Sequence, residues 1–391
     1  MQSIYYISPS TIPSRSANSI HVINMCEAIT QLGNKVLLFA NSNDPDSNSV
    51  HQQISTFYGA NISKISVNIF RSKKIKGLEF GIAINSFIRF FIDWIKGRPP
   101  EIIISRNLYA TLFLSLIFRK NIIYETHTTE YGFRKKIQLW LLKSKKIKTI
   151  VISKALKKMI CDFHNIEGSE IYVFHDAAKA GRVRITNSQR YQIRKEQFSS
   201  VIDLNYYQKI IGYFGQLYSG RGIDVIQEIA KLNPSFAFII YGGNEKEITK
   251  YKNKNNLDNL FFMGHLLPKN TYEIMSAMDV LLMPFQKSVS IGVEGIDTAK
   301  WMSPMKMFEY MSTGIPIISS DLLVLREVLE DNENCLLVKS DDIKDWSESL
   351  RRIIKDKFLA DKLQNNAYNQ YRRSHTWKKR AENILRLSSY K

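Results

Sequence analysis

The chain has 391 residues, enough for two domains of about 180–200 residues each. Hydrophobic residues make up 44% and charged residues 23%, which excludes a disordered chain. Lys and Arg number 55 against 36 Asp and Glu, a net charge of +19, so anionic partners are favoured: phosphorylated substrates, anionic lipid or nucleic acid.

Residues 4–7 read as a strand, 19–32 as a helix stopped by Gly33, and 36–40 as a second strand. Strand-like runs follow at 65–69, 102–105, 122–125, 149–153 and 171–174, separated mostly by helical stretches. Continuous apolar strands alternating with helices predict a parallel sheet buried on both faces. The most apolar stretch, 78–97, contains Arg89, Asp93 and Lys96, which argues against a membrane span. The first ten residues lack the basic and apolar regions of a signal peptide.

The alternation weakens over 179–209, which is polar and basic. It restarts with strands at 210–214, 236–241, 261–263, 280–283, 315–319 and 336–338, and a helix at 222–232. Residues 342–387 read as three helices. The expected organisation is a first α/β domain over 1–180, a linker over 181–209, a second α/β domain over 210–372, and a C-terminal helix within 373–391 packing back on the first. Open α/β sheets bind ligands at the carboxyl ends of their strands, so a cleft served by both domains is expected. Cys26, Cys161 and Cys335 are far apart and form no CxxC or Cys/His cluster. Neither a disulfide framework nor a zinc site is expected, and a reducing cytoplasm is the natural setting.

The segment Trp301-Met-Ser-Pro-Met-Lys-Met-Phe-Glu-Tyr-Met-Ser-Thr-Gly-Ile-Pro-Ile-Ile-Ser-Ser-Asp321 carries the strongest chemical signal. Ser303 is predicted as a helix N-cap and Pro304 as the first helical residue. The free N–H groups and positive dipole end of that helix suit an anion. Lys306 places a cation in the first turn, which opposes the dipole and so points to a phosphate. Glu309 lies on roughly the same face and could accept two hydrogen bonds from a ribose diol. Gly314 is predicted to end the helix. Spacing alone fits a capped surface helix with a Lys306/Glu309 pair equally well.

The Ser-Pro-x-Lys-x-Phe-Glu-Tyr-Met-x-x-Gly-x-Pro-Ile run resembles the donor-binding segment of retaining family 4 glycosyltransferases of the GT-B fold. The resemblance extends to Tyr213-Phe-Gly-Gln-Leu-Tyr-Ser-Gly-Arg-Gly-Ile-Asp224, Phe262-Met-Gly-His and Asp279-Val-Leu-Leu-Met-Pro284. In the front half it covers Pro13-Ser-Arg-Ser-Ala-Asn-Ser-Ile-His-Val22, Ser105-Arg-Asn107, Tyr124-Glu-Thr-His127 and Val151-Ile-Ser153. It implies two Rossmann-like, doubly wound parallel-sheet domains facing a central cleft. It implies that Glu309 binds the donor ribose, and that Lys306 and the amides after Ser303 and Pro304 face the diphosphate. Arg221 in the Gly215–Gly222 loop would also hold diphosphate, and His127 would lie near the reacting sugar. Arg221, Lys306 and His127 are thus the implied catalytic set, with no metal and no cofactor.

Some positions depart from the family pattern. Gln216 stands where a second basic residue is usual, and Trp301 where another Glu is usual. Glu294 and Asp297, in the preceding loop, are the candidates to contact the donor sugar instead. Ala17, Asn18 and Ser19 replace loop glycines near the diphosphate and acceptor, with Asn18 or Ser19 as the expected N-cap. Glu125 is expected on the same side as His127, orienting its ring. Arg106, at a strand end, is expected to contact donor or acceptor, or to pair with Glu125. A lone His after a buried strand also fits a purely structural role.

The reaction implied is transfer of a glycosyl group from a nucleotide diphosphate sugar, with retention, to a glycan or lipid-linked acceptor in cell-surface glycoconjugate synthesis. Residues 1–180 hold 24 Lys and Arg against 12 Asp and Glu. Basic runs at Arg71, Lys73, Lys74, Lys76 and from Lys135 to Lys158, with aromatic residues nearby, suggest peripheral contact with an anionic membrane. Two alternatives stay open: a GT-B sugar-nucleotide epimerase, and a basic nucleic-acid-binding protein. No nucleic-acid motif supports the second.

Overall fold

A computed structural model of the chain describes residues 2–44, 46–71, 77–118, 121–254, 257–292 and 295–388. It divides into two compact units: Met1–Asp176 with Thr376–Lys391, and Ala177–His375.

The first unit alternates β1 (Ser3–Thr11), α1 (Ala17–Gln31), β2 (Lys35–Asn41), α2 (Ser47–Tyr58), β3 (Ile65–Phe70), α3 (Leu78–Ile95) and β4 (Ile102–Ser105). It continues with α4 (Leu108–Ile117), β5 (Ile122–Glu125), α5 (Phe133–Lys143), β6 (Ile147–Val151), α6 (Lys154–His164) and β7 (Ile171–Val173). The strands form a seven-stranded sheet in the order β3-β2-β1-β4-β5-β6-β7, and every pairing is parallel. Ile102, Ile103 and Ile104 of β4 and Ile122 and Ile123 of β5 are buried on both faces. Full burial of each such side chain contributes about 1.5–3 kcal/mol, which is why these strands read as unbroken apolar runs.

In the second unit α7 (Asn187–Phe198) precedes β8 (Lys209–Phe214), α8 (Ile223–Leu232), β9 (Phe236–Tyr241), α9 (Glu245–Lys254) and β10 (Leu260–Gly264). Then come α10 (Pro268–Ser276), β11 (Val280–Met283), α11 (Met305–Thr313), β12 (Ile317–Ser320), β13 (Leu336–Val338), α12 (Ile343–Lys355) and α13 (Lys357–Ser374). A six-stranded parallel sheet has the order β10-β9-β8-β11-β12-β13. Trp346 and Leu350 of α12 are buried in the same apolar cluster as Ile211, Ile226 and Phe238. The last helix, α14 (Trp377–Leu387), belongs to the first unit and packs on α1.

Both sheets reverse direction of growth beside their first strand, between β1 and β4 and between β8 and β11. Loops leaving those neighbouring strands diverge and leave a crevice, the usual ligand position in such sheets.

The stretch 181–209 differs from its reading as a linker. It carries α7, which Thr186 and Gln189 close with a reciprocal capping box. Ile193 and Phe198 are buried. Arg194 donates to Ala277 O at 2.7 Å and lies 3.0 Å from Asp279. These ties make the segment part of the second unit, which runs from Ala177 to His375.

Candidate functional site

In the second unit β8 ends at Phe214 and the chain turns at Gly215, with φ +155°. A Cβ at Gly215 would stand 2.6 Å from Lys306 Nζ, so glycine is what lets the ammonium approach the loop. The loop closes at Gly222, where φ is +81° and a Cβ would meet Pro284 O at 1.9 Å. Arg221 is therefore set between the ends of β8 and β11, at the crevice.

Lys306 comes from the first turn of α11. Its Nζ lies 4.0 Å above the Tyr213 ring and 4.9 Å from Phe285, and the Arg221 guanidinium lies 5.3 Å from the same Phe285 ring. Among the described residues, Lys306 Nζ and Arg221 Nε are buried without a hydrogen-bond partner. Burial, then the nearby Arg221 charge, drive Lys306 well below the ordinary lysine range, against the pull of Glu309. Two cations that destabilise each other this way are the natural seat of an anion.

The start of α11 differs by one residue from expectation. Pro304 is the N-cap, Met305 the first helical residue, and no side chain caps the end. The reason is local: Met307 N–H already bonds Pro304 O at 2.9 Å, while Ser303 lies buried before the turn. Glu309, one turn along, is raised by burial and pulled back by Arg182 and Lys306. Arg182 is a residue the sequence reading missed. It donates to Ser312 Oγ at 2.9 Å and stacks 4.5 Å over Tyr272. It sits in 181–209, which reads as a linker and where one more basic residue carries no signal.

Gln216 accepts from Tyr213 Oη through its backbone oxygen at 2.8 Å. Asp297 is differently employed from its reading as a sugar contact: its Oδ1 accepts from Val289 N at 2.8 Å and Ala299 N at 2.9 Å. Those bonds staple the loop. The backbone N–H of Trp301 donates to Thr298 O at 3.1 Å. Glu294 lies outside the described residues.

In the first unit the loop after β1 leads into α1, whose N-cap is Ser16, not Asn18 or Ser19. The helix starts at Ala17 because Ser16 is the residue whose side chain reaches Ser19 N–H. Ser19 instead donates to Thr11 O at 2.8 Å, and Asn18 donates to Ser10 Oγ at 2.7 Å.

His127 follows β5 and donates from Nε2 to Glu125 Oε1 at 2.9 Å. Arg106, which follows β4, brings Nη2 to 3.1 Å and 3.4 Å from the two ring nitrogens. Arg106 Nη1 is buried and without a hydrogen-bond partner among the described residues. Burial, then Arg106, lower His127 to about 4 despite Glu125, so the imidazole is neutral at physiological pH. It can offer a hydrogen bond or a dipole, but not a positive charge.

Glu125 is fully buried and its ion-pair partner is Arg380 of α14, at 3.0 Å, rather than Arg106. His21 Nε2 lies 3.0 Å from the same Oε1, and its Nδ1 bonds Asp176 at 2.9 Å. Burial alone would raise Glu125, but Arg380, then His21 and Arg106, and the bond from His127 hold it well below the usual carboxylate range. His21, Asp176 and Arg380 were not legible beforehand, because each comes from a different, distant part of the chain.

His21, Glu125 and His127 have ligand-type atoms within 4.8 Å of one another, among the described residues. Their donor atoms do not suit a metal ion. Glu125 Oε1 is already shared by Arg380 and His127, and Arg106 borders His127, so a cation would meet two guanidinium groups.

The same network predicts acid lability. His127 and Glu125 both take up protons only below the pH at which the unfolded chain does. The contribution of His127 is complete above about pH 6.5, the unfolded imidazole value, and is lost as pH falls toward 4, whereas that of Glu125 persists down to the ordinary carboxylate range and is lost only below it. For His127 the loss is on the order of 3 kcal/mol. Melting curves between pH 7 and 4 should fall more steeply for wild type than for His127→Gln; equal slopes would remove His127 from the acid response.

Two family models cover most of the chain: "Glycosyltransferase Family 4" over residues 19–178 and "Glycosyl transferases group 1" over 194–370. The chain belongs to the family 4 glycosyltransferases. Its fold is the GT-B fold of Anabaena Alr3699/HepE in complex with UDP-glucose (TM-score 0.71, 14% identity, 100% of both chains). It is also that of sucrose-phosphate synthase from Thermosynechococcus elongatus (TM-score 0.72, 15% identity, 100% of this chain and 98% of that one). Among curated proteins, D-inositol 3-phosphate glycosyltransferase of Nocardioides sp. (strain ATCC BAA-499 / JS614) is 31% identical over 77 residues. That match spans 20% of this chain and 17% of the relative. In this family 4 glycosyltransferase the two matched models correspond to the two sheets described above.

Proposed function

We propose that the protein transfers a glycosyl group from a nucleotide diphosphate sugar to a glycan or lipid-linked acceptor, with retention and without a metal. The carrying observation is the pair of buried, unpartnered cationic groups at the second unit's crevice, Lys306 Nζ and Arg221 Nε. They and the uncapped N-terminus of α11 would receive the diphosphate, and Glu309 the ribose. As the bond from the anomeric carbon to the phosphate oxygen breaks, charge grows on the leaving diphosphate. Fixed cations in a desolvated site stabilise that charge without reorganising. The acceptor hydroxyl forms the new bond to the same carbon and on the same face, and its proton passes to the leaving phosphate oxygen. In the first unit His127, neutral and held by Glu125, would hydrogen-bond the sugar or acceptor, and Arg106 Nη1 would hold a polar group beside it.

This reading places the enzyme in cytoplasmic synthesis of cell-surface glycoconjugates, with peripheral contact to an anionic membrane. No helix among the described residues is long and apolar enough to cross one. A thermal-shift screen of nucleoside diphosphates and their sugars identifies the donor. Transfer with that donor in EDTA, with the product's anomeric configuration read by NMR, tests the chemistry. Undiminished turnover and a retained anomer are expected. Loss on chelation restored by magnesium or manganese would overturn metal independence, and an inverted product would overturn retention.

A further inference from the structure

Residues 177–186 enter the second unit ahead of α7 and form no helix of their own, yet their backbone is firmly held. Tyr371 Oη of α13 donates to Lys179 O, Tyr368 Oη to Arg182 O at 2.8 Å, and Tyr272 Oη of α10 to Val183 O at 2.9 Å. All three bonds end on main-chain oxygens, so they form whatever side chain stands at position 182. The side chain itself is left to serve something else.

Its guanidinium turns onto α11. Arg182 Nη1 donates to Ser312 Oγ at 2.9 Å, and Ser312 Oγ donates in turn to Glu309 O at 2.6 Å. Ser312 is fully buried and lies three residues past Glu309, on the same face of the helix. The Tyr272 ring, 4.5 Å from the guanidinium carbon, holds the group in place. Burial pushes the Glu309 carboxyl up, and Arg182, ahead of Lys306, draws it back down. Lys306 is the poorer counter-charge. Burial and Arg221 disfavour its own charge, and in the donor complex it would face the diphosphate. A guanidinium keeps its proton under all of these conditions.

We propose that Arg182 is a positioning residue for the donor ribose: anchored on Ser312, it is the permanent counter-charge of the Glu309 carboxylate and so sets a preference for ribose over deoxyribose donors. The inference rests on the reading of Glu309 as the ribose contact. An ionised carboxylate accepts from both hydroxyls of a ribose diol, whereas a protonated one has lost part of that capacity and gains less from the 2′-hydroxyl. The labour is divided: Lys306 and Arg221 meet the diphosphate, and Arg182 keeps a carboxylate available beside them.

The other titratable groups packed round α11 do not take this role. Burial holds the phenols of Tyr310 on the helix, Tyr272 of α10 and Tyr371 of α13 above their ordinary range, so they are neutral near pH 7. Arg184 lies against Gly314, at the far end of the helix. His375, after α13, lies against Phe308, with ring centroids 4.9 Å apart.

Calorimetric binding of ADP, GDP, CDP and UDP to the full chain, each beside its 2′-deoxy form, tests the proposal between about pH 6 and pH 8. For the nucleotide bound best, wild type should prefer ribose by about tenfold or more, with little change over this range. Arg182→Met, which keeps the contact with the Tyr272 ring, should cut the preference to about twofold or less at the acid end and recover part of it at the alkaline end, as Glu309 ionises. The ratio of ribose to deoxyribose affinity cancels the titration of the phosphates and of Lys306, and His375 is common to both proteins. Arg182→Lys should restore most of the preference. Ser312→Ala, which releases the guanidinium without removing it, should show a weaker form of the same loss. A role confined to tethering residues 177–186 would lower the melting temperature and leave the ratio unchanged. Wild-type ratios in both Arg182→Met and Ser312→Ala at the acid end would therefore overturn the proposal. An unchanged ratio in Glu309→Gln, or no nucleotide bound by wild type, would instead overturn the ribose assignment and the proposal with it.

Discussion

Lys306→Ala is expected to lower kcat/KM for glycosyl transfer by about 10²–10³, the usual consequence of removing one preorganised group that stabilises developing negative charge. Stability should stay at or slightly above the wild-type value. Lys306 Nζ has no hydrogen-bond partner to lose among the described residues, and removing it relieves a charge that burial and Arg221 both oppose. The loss should fall mainly on kcat if the cation acts on the leaving group, and on KM if it only holds the donor. Lys306→Met, which keeps the contact with the Tyr213 ring, separates packing from charge. If both variants turned over like wild type, the assignment of the second unit's crevice to the diphosphate would be wrong.

The largest stability effect is expected from Arg380→Ala: a loss of about 3–5 kcal/mol from the first unit. Glu125 and Arg380 are both buried, and removing the cation leaves a carboxylate without its main counter-charge. His21 and Arg106 still favour the charged form but less than Arg380 does, and His127 is neutral near pH 7. A shift of roughly 2–4 °C in Tm per kcal/mol makes this visible in a melting curve. Adding Glu125→Gln should restore much of the loss, because the uncompensated charge is then gone. Activity should stay impaired in the double variant, as His127 loses the carboxylate that holds its ring. A single-variant Tm within a degree or two of wild type would show that Glu125 needs no partner from α14.

Strands were legible where they are buried on both faces. The runs at 102–105, 122–125, 236–241, 280–283 and 336–338 coincide with β4, β5, β9, β11 and β13. Continuous Ile, Leu, Val and Phe leave little else to be. Helix α7 was not legible, because it buries few apolar side chains and its surface is Gln, Arg and Lys. Its evidence lay in the Thr186/Gln189 cap rather than in periodicity. The run from Ser303 to Glu309 singled out α11 because a cation and a carboxylate fall within its first two turns, although its N-cap is Pro304 and not Ser303. The Glu125 network could not be read that way. Its members are brought together by the sheet and by α14, and Glu125 and Arg380 are 255 positions apart.

Returning α14 to the first unit also sets an order of assembly during synthesis. The ribosome finishes the second unit, Ala177–His375, before it makes the segment that completes the first. At roughly 5–20 residues per second, Arg380 leaves the ribosome on the order of 10–50 s after Glu125. Through that interval the nascent first unit holds a carboxylate in its interior with its main counter-charge still unmade. The surface of α1 that α14 will cover is bare for the same time. A chain cut short after His375 would stay in that state, and so could be told from the finished enzyme by the chaperones and proteases that survey exposed apolar surface.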